Sequence, residues 1–365
     1  VVTSTAAGGS CIYFSDAVNS PVTMSTMVIS GAVNGLSFAD ARSEISFNDV
    51  DISLTGAGAG LNIVSTTAAT LAINGGSIFA VGIAIKFAAT LDSATTISLS
   101  GATVSSANEH ALAVMDVDGT IKISDGYLTS KKQPIFVNGA ASSTAKIRIE
   151  RSAISCTDAR NAIRLESTLA GRLAIASSTI SSVSAAAIYI NAAVTGTLAL
   201  QRTTVTSATA NCIQVGSLTT GGKLEISGGS VNSPAALAVW VGGTIDATSS
   251  LAISEATIFG SVQGINVVGV LAGSLSVNGG SVASTTQDAI YLTAAVTGKI
   301  LVSKATVTGG GAHAITFAAD LSGALTVQRA ALSGAAGHGI QLDTMTGGSV
   351  RLSSGSVSGS NAAVK

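Results

Sequence analysis

Three histidines, three cysteines, 18 basic and 19 acidic side chains carry all the acid–base, metal-ligating and nucleophilic chemistry in 365 residues. His313 and His338 invite a metal only if the fold stacks them. Asp288 is then the single acidic residue in line, and a third ligand is missing. Cys11, Cys156 and Cys212 make no zinc or redox spacing and leave an odd count, so they read as buried unpaired thiols. Lys86 with Asp92, Asp116 and Asp118 is the nearest approach to an acid–base patch. A denser charged region, Arg148, Glu150, Arg151, Arg164, Glu166 and Arg172, reads as solvated ion pairs. No Ser-His-Asp order, phosphate loop, dinucleotide glycine motif or zinc motif is present. No catalytic, cofactor-binding or metal-binding residue is therefore assigned, and no cofactor is expected. The remaining chemistry is aromatic: Tyr13, Phe136, Tyr189 and Tyr291 are candidate stacking surfaces, and Phe136, Tyr189 and Tyr291 are the candidate glycan contacts.

What would position these residues is a repeat. An Ile or Leu followed two residues on by another apolar residue recurs as Ile12/Phe14, Leu36/Phe38, Leu61/Ile63 and Ile85/Phe87. The series runs on through Ile188/Ile190, Ile213/Val215, Leu237/Val239 and Ile265/Val267 to Ile340/Leu342, at intervals of 23 to 28 residues and most often 25. A period in this range marks a stacked, quasi-one-dimensional fold. Inside each repeat lies a second pair, followed five residues later by a lone branched apolar residue, as in Leu71/Ile73 then Ile78 and Leu198/Leu200 then Val205. Insertions are expected in one loop region before the second pair, in NGAASSTAK after Ile135 and in GGTIDATSS near residue 246.

Period-two alternation turns Ile and Leu inward on three short strands, with Ser, Thr, Gly or Gln outward. Hairpins are disfavoured because Asn-Gly and Asp-Gly two-residue turns are scarce, and helical repeats because long i, i+3, i+4 stripes are absent. The expected fold is all-β: a single-stranded parallel β-helix, or β-solenoid, of about 14 coils of roughly 25 residues with three short strands each. Residues 1–365 are expected to form one continuous β-helix, a segment of a longer array or a filament subunit, since neither end shows a capping element.

The I-x-[IVLF] … [LI]-x-[LIV]-x4-[VIL] pattern, running from Ile12 to Val357, resembles the pectate-lyase-like superfamily of parallel β-helices. The resemblance implies a right-handed coil and raises polysaccharide binding or processing as a function. Lyases of that kind need an acidic calcium cluster beside a basic residue, and hydrolases need carboxylates roughly 5–9.5 Å apart. The acidic residues here are scattered, so catalysis is not the expected reading.

Two residues before the first pair stands a row that includes Asn161, Asn211, Asp288, His313 and His338, expected to stack as a structural corner ladder. Hydroxyls on both sides of the lone branched residue, as in Thr204/Thr206 and Thr306/Thr308, are similar to the grid of ice-binding solenoids. Tyr127, Phe79 and Ala153 interrupt it. A net charge of −1 with 10% charged residues offers no nucleic-acid footprint, and no apolar run is long enough to span a membrane as a helix. The expected function is an extracellular or cell-surface scaffold, a rigid shaft in a fibre, appendage or adhesin. Its partners would be copies of itself, other surface or fibre proteins, or glycans. Glycan binding or processing is the alternative, with ice binding behind it.

Overall fold

The computed structural model describes residues 2–4, 10–31 and 33–365. Among these there is no helix; short strands follow one another along the chain. Two compact units, Val1–Val183 and Ser184–Lys365, are each a parallel β-solenoid of seven coils. Every paired strand lies parallel to its equivalent one coil away. In the first unit Ile85 pairs with Leu61 and Leu112, and in the second Ile290 pairs with Ile265 and Ile315. Antiparallel pairing is not used because the chain returns to each strand position only after a complete coil.

Each coil carries three strands, seen in Ile85–Phe87, Thr96–Ser100 and Thr103–Ser106. The alternation is clean: Ile97, Leu99 and Val104 are 0% exposed while Ser98 and Ser105 face outward. Stacking like on like makes the interior a set of apolar columns, each coil adding about 25 cal/mol per Å² of buried area. Near the start of the first unit the rings of Phe14 and Phe38 stack at 4.6 Å.

The five-residue offset has a backbone cause. Three residues before every lone branched residue the chain enters the left-handed region. In the first unit this happens at Thr26, Asp49, Gly75, Gly101, Asp125, Arg151 and Ser177, with φ from 46° to 70°. In the second it happens at Arg202, Gly228, Glu255, Gly279, Lys304, Arg329 and Ser354, with φ from 48° to 73°. A non-glycine residue held there costs about 1–2 kcal/mol. The cost is offset by hydrogen bonding, because the N–H of the left-handed residue donates to a carbonyl of the next coil: Asp125 to Glu150 at 3.0 Å, Lys304 to Gln328 at 3.0 Å. The N–H two residues on donates to the preceding coil, as from Tyr127 to Ala102 at 3.0 Å.

A fourth inward column follows the first strand. Leu91, Val117, Ala141 and Leu169 bridge in series in the first unit; Leu218, Ile245, Leu271, Val296 and Leu321 do so in the second. The interval from this column to the second strand is four residues in most coils and six at 91–97, 141–147, 218–224 and 245–251. The longer turn is therefore found in two coils beyond the two expected from sequence.

One pair is corrected. The first strand of the coil after Ile213 is Val239–Val241, with Val239 on Ile213 and Val241 on Val215. Leu237/Val239 is not the pair; Leu237 is the corner residue before it, and its N–H reaches Asn211 Oδ1 at 3.3 Å. The correction turns Trp240 outward between Gln214 and Asn266.

Candidate functional site

The polar corner before the first strand works coil to coil. An acceptor on one coil takes the backbone N–H of the next: Asn34 Oδ1 from Ala59 at 2.9 Å, Asp288 Oδ1 from His313 at 2.8 Å, His313 Nδ1 from His338 at 2.7 Å. Asn211 does the same for Leu237, while Asn161 Oδ1 takes a contact from Arg164 at 3.4 Å. The imidazoles of His313 and His338 stack at 5.1 Å and 5°. Because His313 Nδ1 accepts a backbone proton, its lone pair is engaged and unavailable to a metal, and the proton sits on Nε2. Burial holds the His313 value below the ordinary 6.5, with the Asp288 charge opposing and His338 reinforcing the shift. Among the described residues no three His, Cys, Asp or Glu side chains gather into a metal-binding group.

The carboxylates are engaged in turns. Asp92 accepts from the N–H of Ala94 at 3.0 Å, the hydroxyl of Thr95 at 3.0 Å and, one coil back, the N–H of Ala68 at 2.8 Å. Asp246 makes the equivalent set with Thr248, Ser249 and, one coil back, Thr220. These Asx turns close two of the four six-residue turns, 91–97 and 245–251. The bond from Ser249, with those from Thr220 and Thr248, holds the Asp246 carboxyl down at about 2 against a smaller opposing effect of burial. Asp116 accepts the N–H of Ala140 at 2.8 Å. The charged region resolves into pairs: Arg148 with Glu150 at 2.6 Å, Arg164 with Glu166 at 2.6 Å and Arg151 with Asp125 at 2.7 Å.

Two of the thiols fill structural columns; Cys11, expected to be buried like them, is only part-buried, and its thiol donates to Ser30 O at 3.2 Å. Cys156 takes the place that Ser130 and Ser182 hold in adjacent coils, and its thiol donates to Lys132 O at 2.9 Å. Cys212 belongs to a buried small-residue column with Ala187 and Ala238, and burial pushes its thiol up to about 12.

What remains outward and unassigned is aromatic. In the second unit the outward residues of the first strand line up as Tyr189, Gln214, Trp240, Asn266, Tyr291 and Thr316, one per coil. Tyr189 and Tyr291 thus share one column with Trp240 midway, and aromatic rings occupy alternate coils. The Tyr189 hydroxyl donates to Asn191 Oδ1 at 2.8 Å, which ties the ring along its own strand. The indole of Trp240 lies over Gly242, where a Cβ would fall 2.1 Å from the ring; any other residue there would lift it. Between Tyr189 and Trp240 an open trough of about 300 Å³ is floored by Gly216, Gly242 and Gly243. Asn266 Oδ1 and Thr316 Oγ1, on either side of Tyr291 in the column, are covered and make no hydrogen bond.

Phe136 lies in the first unit, in a column with Ala113 and Arg164, and its ring stacks on His110 at 4.5 Å. One of its faces is therefore already occupied. Tyr13, 60% exposed, has Ser37 as its neighbour in the same column. Trp240 escapes a reading of the sequence because the run Leu237-Ala-Val239-Trp-Val241 allows two frames; the buried Ala238, aligned with Cys212, marks the right one. No protein-family model, curated protein or solved structure compared with the chain matches it.

Proposed function

We propose that this chain is a non-catalytic scaffold of the extracellular or cell-surface kind, a rigid solenoid shaft for a fibre, appendage or adhesin. The observation that carries the reading is the use made of the acidic groups. Asp92, Asp116, Asp246, Asp288 and Asp320 each accept a backbone N–H from a residue 24 to 26 positions away, which is one coil. Groups fixed in this way stiffen the stack and are poorly placed to exchange protons with a substrate. A net charge of −1 offers little repulsion between copies, which favours self-association or packing against other fibre proteins. The three-strand parallel coil also supports kinship with the pectate-lyase-like β-helices, with the right-handed coil that kinship implies.

Two measurements on the purified chain test the proposal together. Electron microscopy is expected to reveal ordered fibres or laterally associated particles. Incubation with polygalacturonate, with and without calcium, is expected to leave the polymer intact. Calcium-dependent cleavage, or a strictly monomeric protein at all concentrations, would count against a scaffold.

A further inference from the structure

We propose that the Tyr189–Trp240–Tyr291 column binds a neutral β-1,4-linked glycan lying along the coil stack of the second unit, with sugar rings stacked on the three aromatics. This goes beyond the scaffold reading and does not depend on it.

The spacing carries the argument. Neighbouring coils are held by backbone hydrogen bonds at about 4.8 Å, so rings on alternate coils recur at roughly 9.5 Å. In a β-1,4-linked chain each sugar is turned over relative to the last, and the same face returns at every second sugar, at close to this distance. Each aromatic therefore meets an equivalent apolar C–H face. An α-1,4-linked chain curls and loses the register after one contact. The ruler is the peptide backbone, so side-chain motion does not retune it.

The chemistry agrees with the spacing. Tyr189 is tied along its strand by Asn191, and Trp240 lies down over Gly242; both rings are half-buried and line the same open trough. An apolar ring face with polar edges is what a sugar recognises. At the first intervening step stands Gln214, an amide that can both donate and accept where the inverted sugar presents its hydroxyls; at the second, Asn266 Nδ2 already donates to Gln263 Oε1 and its Oδ1 is covered, so that step contributes a neutral surface alone. No charged residue occupies the column from Tyr189 to Gln341, whereas the first unit's column contains Lys86 and Arg164. An acidic polysaccharide gains nothing from such a face, and a neutral one loses nothing.

Trp240 is the single tryptophan of the chain, so intrinsic fluorescence reports on this column alone. The full chain is titrated with β-1,4-linked hexasaccharides of glucose and of N-acetylglucosamine, with α-1,4-linked glucose hexasaccharide, and with a galacturonate hexasaccharide. A saturable change in emission is expected with at least one β-linked neutral sugar and with neither other ligand, growing in affinity from disaccharide to hexasaccharide. Tyr189→Ala and Tyr291→Ala, checked for folding by thermal melts, are each expected to weaken binding about tenfold, the value of one stacked ring. Tyr13→Ala is expected to leave it unchanged, and Trp240→Phe, followed by calorimetry, to retain part of it. The proposal is overturned if no β-linked hexasaccharide binds, if the α-linked chain binds as well, or if both tyrosine variants keep full affinity.

Discussion

Leu128 is the lone branched residue of its coil and is 0% exposed. It packs in register between Val104 of the coil before and Ile154 of the coil after. Truncation to alanine removes the isopropyl end of the side chain, a change that costs about 2.7–5.0 kcal/mol in closed cores according to how far the site relaxes. Relaxation is restricted here. The coil spacing at this corner is fixed by hydrogen bonds from Asp125 to Glu150 and from Tyr127 to Ala102, both 3.0 Å, so the cavity cannot close by coil approach. Leu128→Ala is therefore expected toward the upper part of that range, about 4 kcal/mol. Thr129, the next residue, points outward, and Thr129→Ala is expected to change stability by no more than about 0.5 kcal/mol. Stacked repeats open locally, so global denaturation alone is not sufficient. Native-state hydrogen exchange in the flanking strands Thr103–Ser106 and Ala153–Cys156 is the assay. Leu128→Ala is expected to accelerate exchange there by about three orders of magnitude, the equivalent of 4 kcal/mol. A cost below about 1 kcal/mol, or an equal cost for Thr129→Ala, would refute the inward–outward alternation on which the reasoning rests.

Cys156→Ser should leave the thermal midpoint nearly unchanged, since serine occupies this position in the neighbouring coils and keeps a donor for Lys132 O. Thiol labelling of the native protein should reach the half-exposed Cys11 and spare Cys212, whose thiol is pushed up to about 12, until the chain unfolds. His110 and His313 are both held below 6.5 by burial, so the unfolded chain takes up protons first. Their contribution is complete above about pH 6.5 and is lost as pH falls toward the folded-state values, a decline that thermal melts should show and that His313→Asn should reduce. Asp246, with its carboxyl near 2, contributes stability that is present above 3.8 and disappears as pH falls through about 2. Asp246→Ala, which removes the acceptor of the 245–251 turn, should cost about 1 kcal/mol in urea denaturation.

The architecture was legible because its period and its alternation are both enforced by burial. Ile213, Ile265, Ile290 and Ile315 share an inward column, and a polar residue there would desolvate without a partner. The slip at Leu237 shows the limit of that signal. A two-residue shift preserves which face is apolar, so alternation alone cannot choose between Leu237/Val239 and Val239/Val241, and Trp240 was lost with the wrong frame. The left-handed corner was hidden for a different reason. Thr, Asp, Arg, Ser, Glu and Lys hold it more often than glycine does, because the hydrogen bond to the next coil offsets the strain. The fourth inward column was missed because it is one residue wide and lies three or four residues past the first strand, where no alternation develops. Asp288, His313 and His338 could be named from their offset to the first pair. Their hydrogen bonds to the backbone one coil on could be read only from the geometry.

The coils stack in register, each outward residue one backbone step from its equivalent. Ala199, Ser276, Thr326 and Arg351 occupy one outward column of the second unit, with Ser276, Thr326 and Arg351 three, five and six coils beyond Ala199. Nitroxide labels placed in pairs at Ala199→Cys with each of Ser276→Cys, Thr326→Cys and Arg351→Cys, in a Cys11→Ser background, measure the stack by electron–electron resonance. Separations rising linearly, at about 4.8 Å per coil to roughly 14, 24 and 29 Å, are predicted. Distances that fail to order by coil number, or a step far from 4.8 Å, would contradict the fold and everything derived from it.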